Sequence, residues 1–135
     1  MKRLLTNSEY HVNRSIAKLI LLIFFVSNSV FAFDAVLSCE HGNRHINIAA
    51  CFAGSVDTEI KLTNFGRTNI YKMWQLNELG TEYQDGLHFE LSDSFSLQAQ
   101  NSSDVLNLRL IIKDDSGKVL FEDVVSQFGV IGVQN

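Results

Sequence analysis

From about Ala35 onward the chain alternates apolar and polar positions with a period of two, in short runs broken by turn residues. That is the pattern of half-buried β-strands and not of amphipathic helices. Val56, Thr58, Ile60 and Leu62 alternate with Asp57, Glu59, Lys61 and Thr63, which predicts a strand with one buried and one charged face. Leu87, Phe89 and Leu91 alternate with His88, Glu90 and Ser92, and Phe95, Leu97 and Ala99 with Ser94, Ser96, Gln98 and Gln100, giving two more strands. Leu106, Leu108, Leu110 and Ile112 mark a long strand that Asp114-Asp115-Ser116-Gly117 reverses into a return strand over Val119–Val125. The apolar run Phe128–Val133 completes the series, with Gly129 and Gly132 pointing to a bulge or a close backbone approach.

The earlier part of the chain is less regular. A hairpin is expected over Ala35–Phe52, turning at Gly42-Asn43, because both residues tolerate positive φ. Ile46, Ile48, Ala50 and Phe52 would then share one face. Asn64-Phe65-Gly66-Arg67 turns the chain into a strand over Thr68–Gln75, whose burial face is ambiguous: with Ile70 and Trp74 inward, Tyr71 and Met73 point out. Leu76–Gly86 breaks the alternation and reads as a loop with at most one helical turn, at Leu76–Leu79.

About seven or eight short strands predict an all-β chain. The expected fold is a small antiparallel β-sandwich of immunoglobulin-like size, with a small closed β-barrel as the alternative. Cys39 and Cys51 are close together and Trp74 follows both, so the antibody-type cysteine and tryptophan spacing is absent and size alone implies no function.

An N-terminal segment precedes this domain. Lys2, Arg3, Arg14 and Lys18 form a basic leader, Leu19–Val26 an apolar core, and Val30-Phe31-Ala32 a cleavage site, which predicts a signal peptide over 1–32 and a single β domain over 33–135. The apolar run is shorter than the roughly 20 residues a spanning helix needs, so no stable membrane insertion is expected after cleavage. The expected location is periplasmic or extracellular. Residues 33–135 hold seven Lys and Arg against fourteen Asp and Glu, a net charge of −7, compared with −4 for the whole chain. Such acidity argues against nucleic acid and anionic lipid as partners and favours a basic protein.

Two cysteines in an exported domain predict a disulfide between Cys39 and Cys51. A two-residue turn at Gly42-Asn43 would place Cys39 opposite Ile46, so the bridge requires the chain after Ala49 to bend back. The rival reading is a metal site from Cys39, His41, His45 and Cys51, ligand types suited to zinc or copper. The same two-residue turn would split the histidines between faces by setting His41 opposite Arg44 and Glu40 opposite His45. Val36-Leu37-Ser38-Cys39 also resembles a lipidation signal, against which Asp34 and the bulk of Leu37 argue.

No catalytic motif is present: there is no nucleophile elbow, phosphate-cradling loop or His-Glu-x-x-His. His88 and Glu90 share a strand face beside Ser92, Asp93 and Ser94, a grouping more typical of turn chemistry than of a nucleophilic site. Neither a catalytic residue nor a cofactor is assigned. The candidate binding surface is Tyr71, Met73 and Tyr83, aromatic and thioether groups of the kind enriched in interface cores. Gln98–Ser103 is a second, polar candidate for a sugar or peptide, and Asn101-Ser102-Ser103 fits an N-glycosylation acceptor. The expected function is non-catalytic binding of a protein partner, as an inhibitor, immunity factor or accessory subunit of an envelope or secreted assembly. The alternative is a periplasmic metal-binding protein.

Overall fold

A computed structural model describes residues 31–135, which form two antiparallel sheets with little helix. The strands are β1 (Phe31–His41), β2 (Arg44–His45), β3 (Glu59–Asn64), β4 (Arg67–Lys72), β5 (Thr81–Tyr83), β6 (Gly86–Ser92), β7 (Ser96–Gln100), β8 (Asn107–Lys113), β9 (Val119–Val125) and β10 (Val130–Gln134). One helical turn, α1 (Leu76–Leu79), separates β4 from β5. The first sheet runs β5-β6-β1-β8-β9, with β2 attached to β1; the second runs β10-β7-β3-β4. The closed-barrel alternative is not realised, since each sheet ends in edge strands. The signal segment lies outside the described residues except for Phe31 and Ala32, which begin β1.

Alternation explains how the two sheets share a core. The register sets Ala35 opposite Ile112 and Leu37 opposite Leu110 in the first sheet, and Ile60 opposite Ala99 and Leu62 opposite Leu97 in the second. All eight side chains are buried in one cluster, together with Ile131 of β10. Each leucine and isoleucine among them contributes about 1.5–3 kcal/mol by leaving water. Phe33 and Phe95 close one end of the core edge to face, with ring centroids 6.0 Å apart.

A polar clamp ties the sheets together beside the β3–β4 hairpin. Asn64 Nδ2 donates to the Glu90 carbonyl at 2.8 Å while its Oδ1 accepts the Ser92 amide at 2.7 Å, so one side chain caps the edge of β6. The hairpin turns on Phe65 and Gly66, with φ of 51° and 75°. This two-residue geometry follows the twist of the strands, but a bulky residue adopts the first position only under strain.

Several expectations are corrected. The face of Ile46, Ile48, Ala50 and Phe52 does not form, because Asn47 Oδ1 accepts the Ala49 amide at 2.8 Å and starts a 3-10 turn over Ile48–Cys51. Ile46 is exposed, while Ile48 and Phe52 are buried. Val56 is also exposed, since a turn closed by the Thr58 amide on the Ser55 carbonyl delays β3 until Glu59. The Leu76–Gly86 stretch holds a short strand, β5, after its single helical turn. Gly129 makes the close approach expected at the chain's last strand, but a Cβ at Gly132 would meet nothing within 4 Å.

Candidate binding surface

The Cys39–Cys51 bridge fixes one wall of this surface. The Gly42-Asn43 turn has two residues, with Glu40 opposite His45 and His41 opposite Arg44. The Ile46 amide donates to the Cys39 carbonyl, and the 3-10 turn then carries Cys51 back to a Cα–Cα distance of 5.7 Å from Cys39. Both cysteines are buried and joined to each other, so neither is a thiolate ligand or a free thiol for acylation. His45 is committed elsewhere: its Nδ1 accepts the Cys39 amide at 3.0 Å and its Nε2 lies 2.9 Å from Glu82 Oε1. The four-ligand set of Cys39, His41, His45 and Cys51 is therefore not assembled, and no group of three or more metal-ligating side chains occurs among the described residues.

Glu82 links this wall to β5. Its Oε1 also accepts the Ile48 amide at 2.7 Å, so a single carboxylate holds β5 against the 3-10 turn. β5 is further constrained by the glycine before it: a Cβ at Gly80 would stand 2.1 Å from the His88 carbonyl oxygen. No side chain fits there. Gly86, on the other flank, has φ of 143° and would drive a Cβ to 2.7 Å from the Leu37 carbonyl oxygen.

β5 is thus a short, fixed ridge with depressions around it. On one side lies an open depression of about 530 Å³ bordered by Asn47, Ala49, Met73, Trp74 and Glu82. It shares Asn47 and Glu82 with a second, where Ile46 and Tyr83 stand. A third joins Tyr83 to Asp34, Asp85, His88 and Glu90. Trp74 is 64% exposed, Tyr83 58% and Ile46 49%. Exposed apolar side chains beside acidic ones are the composition that makes this the candidate binding surface.

The three predicted binding residues are distributed unequally. Tyr83 is exposed at the ridge and Met73 borders the first depression. Tyr71 instead packs against the core, because β4 pairs with β3 so that Tyr71 stands opposite the inward-facing Ile60. The expected inward pair is reversed: Ile70 and Trp74 are exposed. The strand ends at Lys72, whose amide donates to Gln75 Oε1 at 3.1 Å, and the 3-10 turn over Met73–Gln75 turns Trp74 outward. Trp74 is thus an exposed aromatic side chain where the alternation had pointed it inward. Its signal was the local cap, a Gln three residues beyond the last strand position.

The other candidates resolve into structural roles. His88 Nε2 lies 2.6 Å from Asp85 Oδ1 and meets the Tyr83 ring edge to face at 4.9 Å. This hydrogen bond is the main reason the Asp85 carboxyl sits below its ordinary value. Ser92 Oγ donates to the Ser94 carbonyl and accepts the Phe65 amide, so it serves the turn. Of Gln98–Ser103, the glutamines are exposed but Asn101 and Ser102 are buried. Asn101 Nδ2 donates to the carbonyls of Leu106 and Val125, which contradicts its reading as a glycan acceptor. On the outer face of the first sheet, Arg109 bonds Glu40 and Glu122, which raises its guanidinium pKa, chiefly through Glu40. No family model, curated protein or solved structure matches this chain.

Proposed function

We propose that the protein is a small exported β-sandwich that acts by non-covalent binding of a protein partner, as an inhibitor, immunity factor or accessory subunit of an envelope or secreted assembly. The observation that carries this reading is Trp74: a tryptophan 64% exposed on a capped turn, beside Met73 and across a shallow depression from the β5 ridge. Tryptophan is the residue type most enriched among interface hot spots, and presenting it on a fixed turn lowers the ordering cost of binding. Ile46 and Tyr83 extend the apolar surface, while Asp34, Asp85 and Glu90 give its far margin a negative charge. A basic partner suits that margin and the net charge of −7 over residues 33–135.

The buried disulfide supports export, because such bridges persist in oxidising compartments. Among the described residues no helix is long and apolar enough to cross a membrane. The test is affinity capture from the exported fraction with the unaltered chain, the Trp74→Ala/Tyr83→Ala variant and a Lys118→Ala control. Retention of a discrete partner by the first and third but not the second supports the reading. Equal capture by all of them refutes the Trp74 surface.

A further inference from the structure

The edge strands of the two sheets differ in charge, and the two-residue β2, which pairs with β1 alone, carries Arg44. β4 carries Arg67 and Lys72, β5 carries Glu82, and β9 carries Glu122 and Asp123. Charged side chains are the usual guard against edge-to-edge pairing. β10 has none, and neither does its neighbour β7; among the described residues these are the only strands without Asp, Glu, Lys or Arg. In an acidic chain the one charge-free pair of strands lies together at an edge.

The backbone there is ready to pair. The Asn101 amide donates to the Gly129 carbonyl at one end of β10 and the Asn135 amide to the Phe95 carbonyl at the other. The register between them sets Ile131 opposite Ala99 and Val133 opposite Leu97. Hydrogen-bonded positions alternate along an antiparallel pair, so the odd-numbered residues bond β7. Val130, Gly132 and Gln134 therefore direct their amides and carbonyls to an edge that no strand covers among the described residues. Both ends of β10 are tied down, and Ile131 and Val133 are buried beneath it, so the strand is a fixed template.

We propose that this edge pairs with the β10 of a second copy of the chain, antiparallel and about a two-fold axis through Gly132. That register is self-complementary: Gly132 faces its own counterpart, and Val130 faces Gln134 in both directions. Every outward amide and carbonyl of the three residues finds a partner, as an isologous interface requires. Gly132 stands on the two-fold axis, with open space where its Cβ would be. The joined sheet runs β4-β3-β7-β10 in one copy and back out to β4 in the other. The two Trp74 surfaces then lie beyond opposite ends of one eight-stranded sheet, which makes the pair bivalent.

Sedimentation equilibrium and amide hydrogen exchange on the purified protein test this. A mass of twice the chain is expected at micromolar concentration, falling to one chain in Gly132→Lys, which places like charges across the axis on a side open to solvent. Ile70→Lys, on the opposite edge strand, should leave the mass doubled. In the unaltered protein the amides of Val130, Gly132 and Gln134 should lose protection on dilution while those of Ile131 and Val133 keep theirs. A single-chain mass up to hundreds of micromolar overturns the proposal. So does a doubled mass without concentration-dependent protection at these three amides, whether or not Gly132→Lys folds.

Discussion

Glu82 Oε1 lies 2.9 Å from His45 Nε2, and this contact joins β5 to the segment that carries the disulfide. Because His45 Nδ1 accepts the Cys39 amide, Nε2 carries the proton and donates to Glu82. The same carboxylate oxygen receives the Ile48 amide. Glu82→Ala removes both acceptor bonds and should cost about 1–3 kcal/mol, read as a lower denaturation midpoint. Glu82→Gln keeps an acceptor oxygen and should cost less. Equal losses from the two variants would show that the carboxylate charge, not the acceptor, holds β5.

The disulfide spans a sequence separation of 12 and is wholly buried. Loop closure of that size contributes about 3 kcal/mol in the chain-entropy model. The Cys39→Ala/Cys51→Ala variant should be less stable by about that amount, with a similar loss on reduction of the unaltered protein. An unchanged melting temperature would mean that the Asn47 cap and the Glu82 contact hold this segment unaided.

Asn101 is the buried amide on which the loop from β7 to β8 depends. Its Nδ2 serves two carbonyls and its Oδ1 accepts the Ser103 amide at 3.0 Å. Asn101→Ala leaves these groups without their partner and should cost about 2–4 kcal/mol, among the larger single losses in the chain. Denaturation curves would show it. The folded protein should also carry no glycan at Asn101 when made in a glycosylating host, which intact mass would check.

The first hairpin turn, the Asp114–Gly117 reversal and the β3 pattern were legible because local sequence alone decides them. Two-residue spacing at Gly42-Asn43 set the Glu40–His45 register, and Ile60 and Leu62 alternate against charges. The orientation of β4 was not legible. Its two faces are similar in polarity: Asn69, opposite the buried Leu62, and Ile70 on the other face are both exposed, so only Tyr71, opposite Ile60, is drawn toward the core by pairing with β3. Trp74 depends on where β4 stops, a single side-chain cap, and the burial of Asn101 depends on the Val125 carbonyl far along the chain.

The Asp85–His88 pair gives a pH signature. The Asp85 carboxyl is lowered from 3.8 chiefly by its hydrogen bond to His88. A depressed carboxyl contributes stability that is complete above its unfolded value and is lost as pH falls through the lower folded value. The pair is solvent-exposed, so the effect on global stability should be small. The direct measurement is the Asp85 carboxyl titration by NMR, which should move up toward 3.8 in His88→Ala. No movement would assign the shift to other groups.

Phe65 holds positive φ at the β3–β4 turn while standing exposed. Phe65→Asn suits this conformation better and should stabilise the protein by about 0.5–1 kcal/mol, read from thermal or chemical denaturation. A loss of stability would show that the exposed ring makes contacts worth more than the strain.

The most direct test of the binding reading is photo-crosslinking from position 74 in the cells that make the protein, with a crosslinker at Ser116 in the β8–β9 turn as the control. A discrete adduct with one partner from position 74, absent from position 116, is the expected result. No adduct from position 74, or the same adducts from both positions, would contradict the account that Trp74 presents the binding surface.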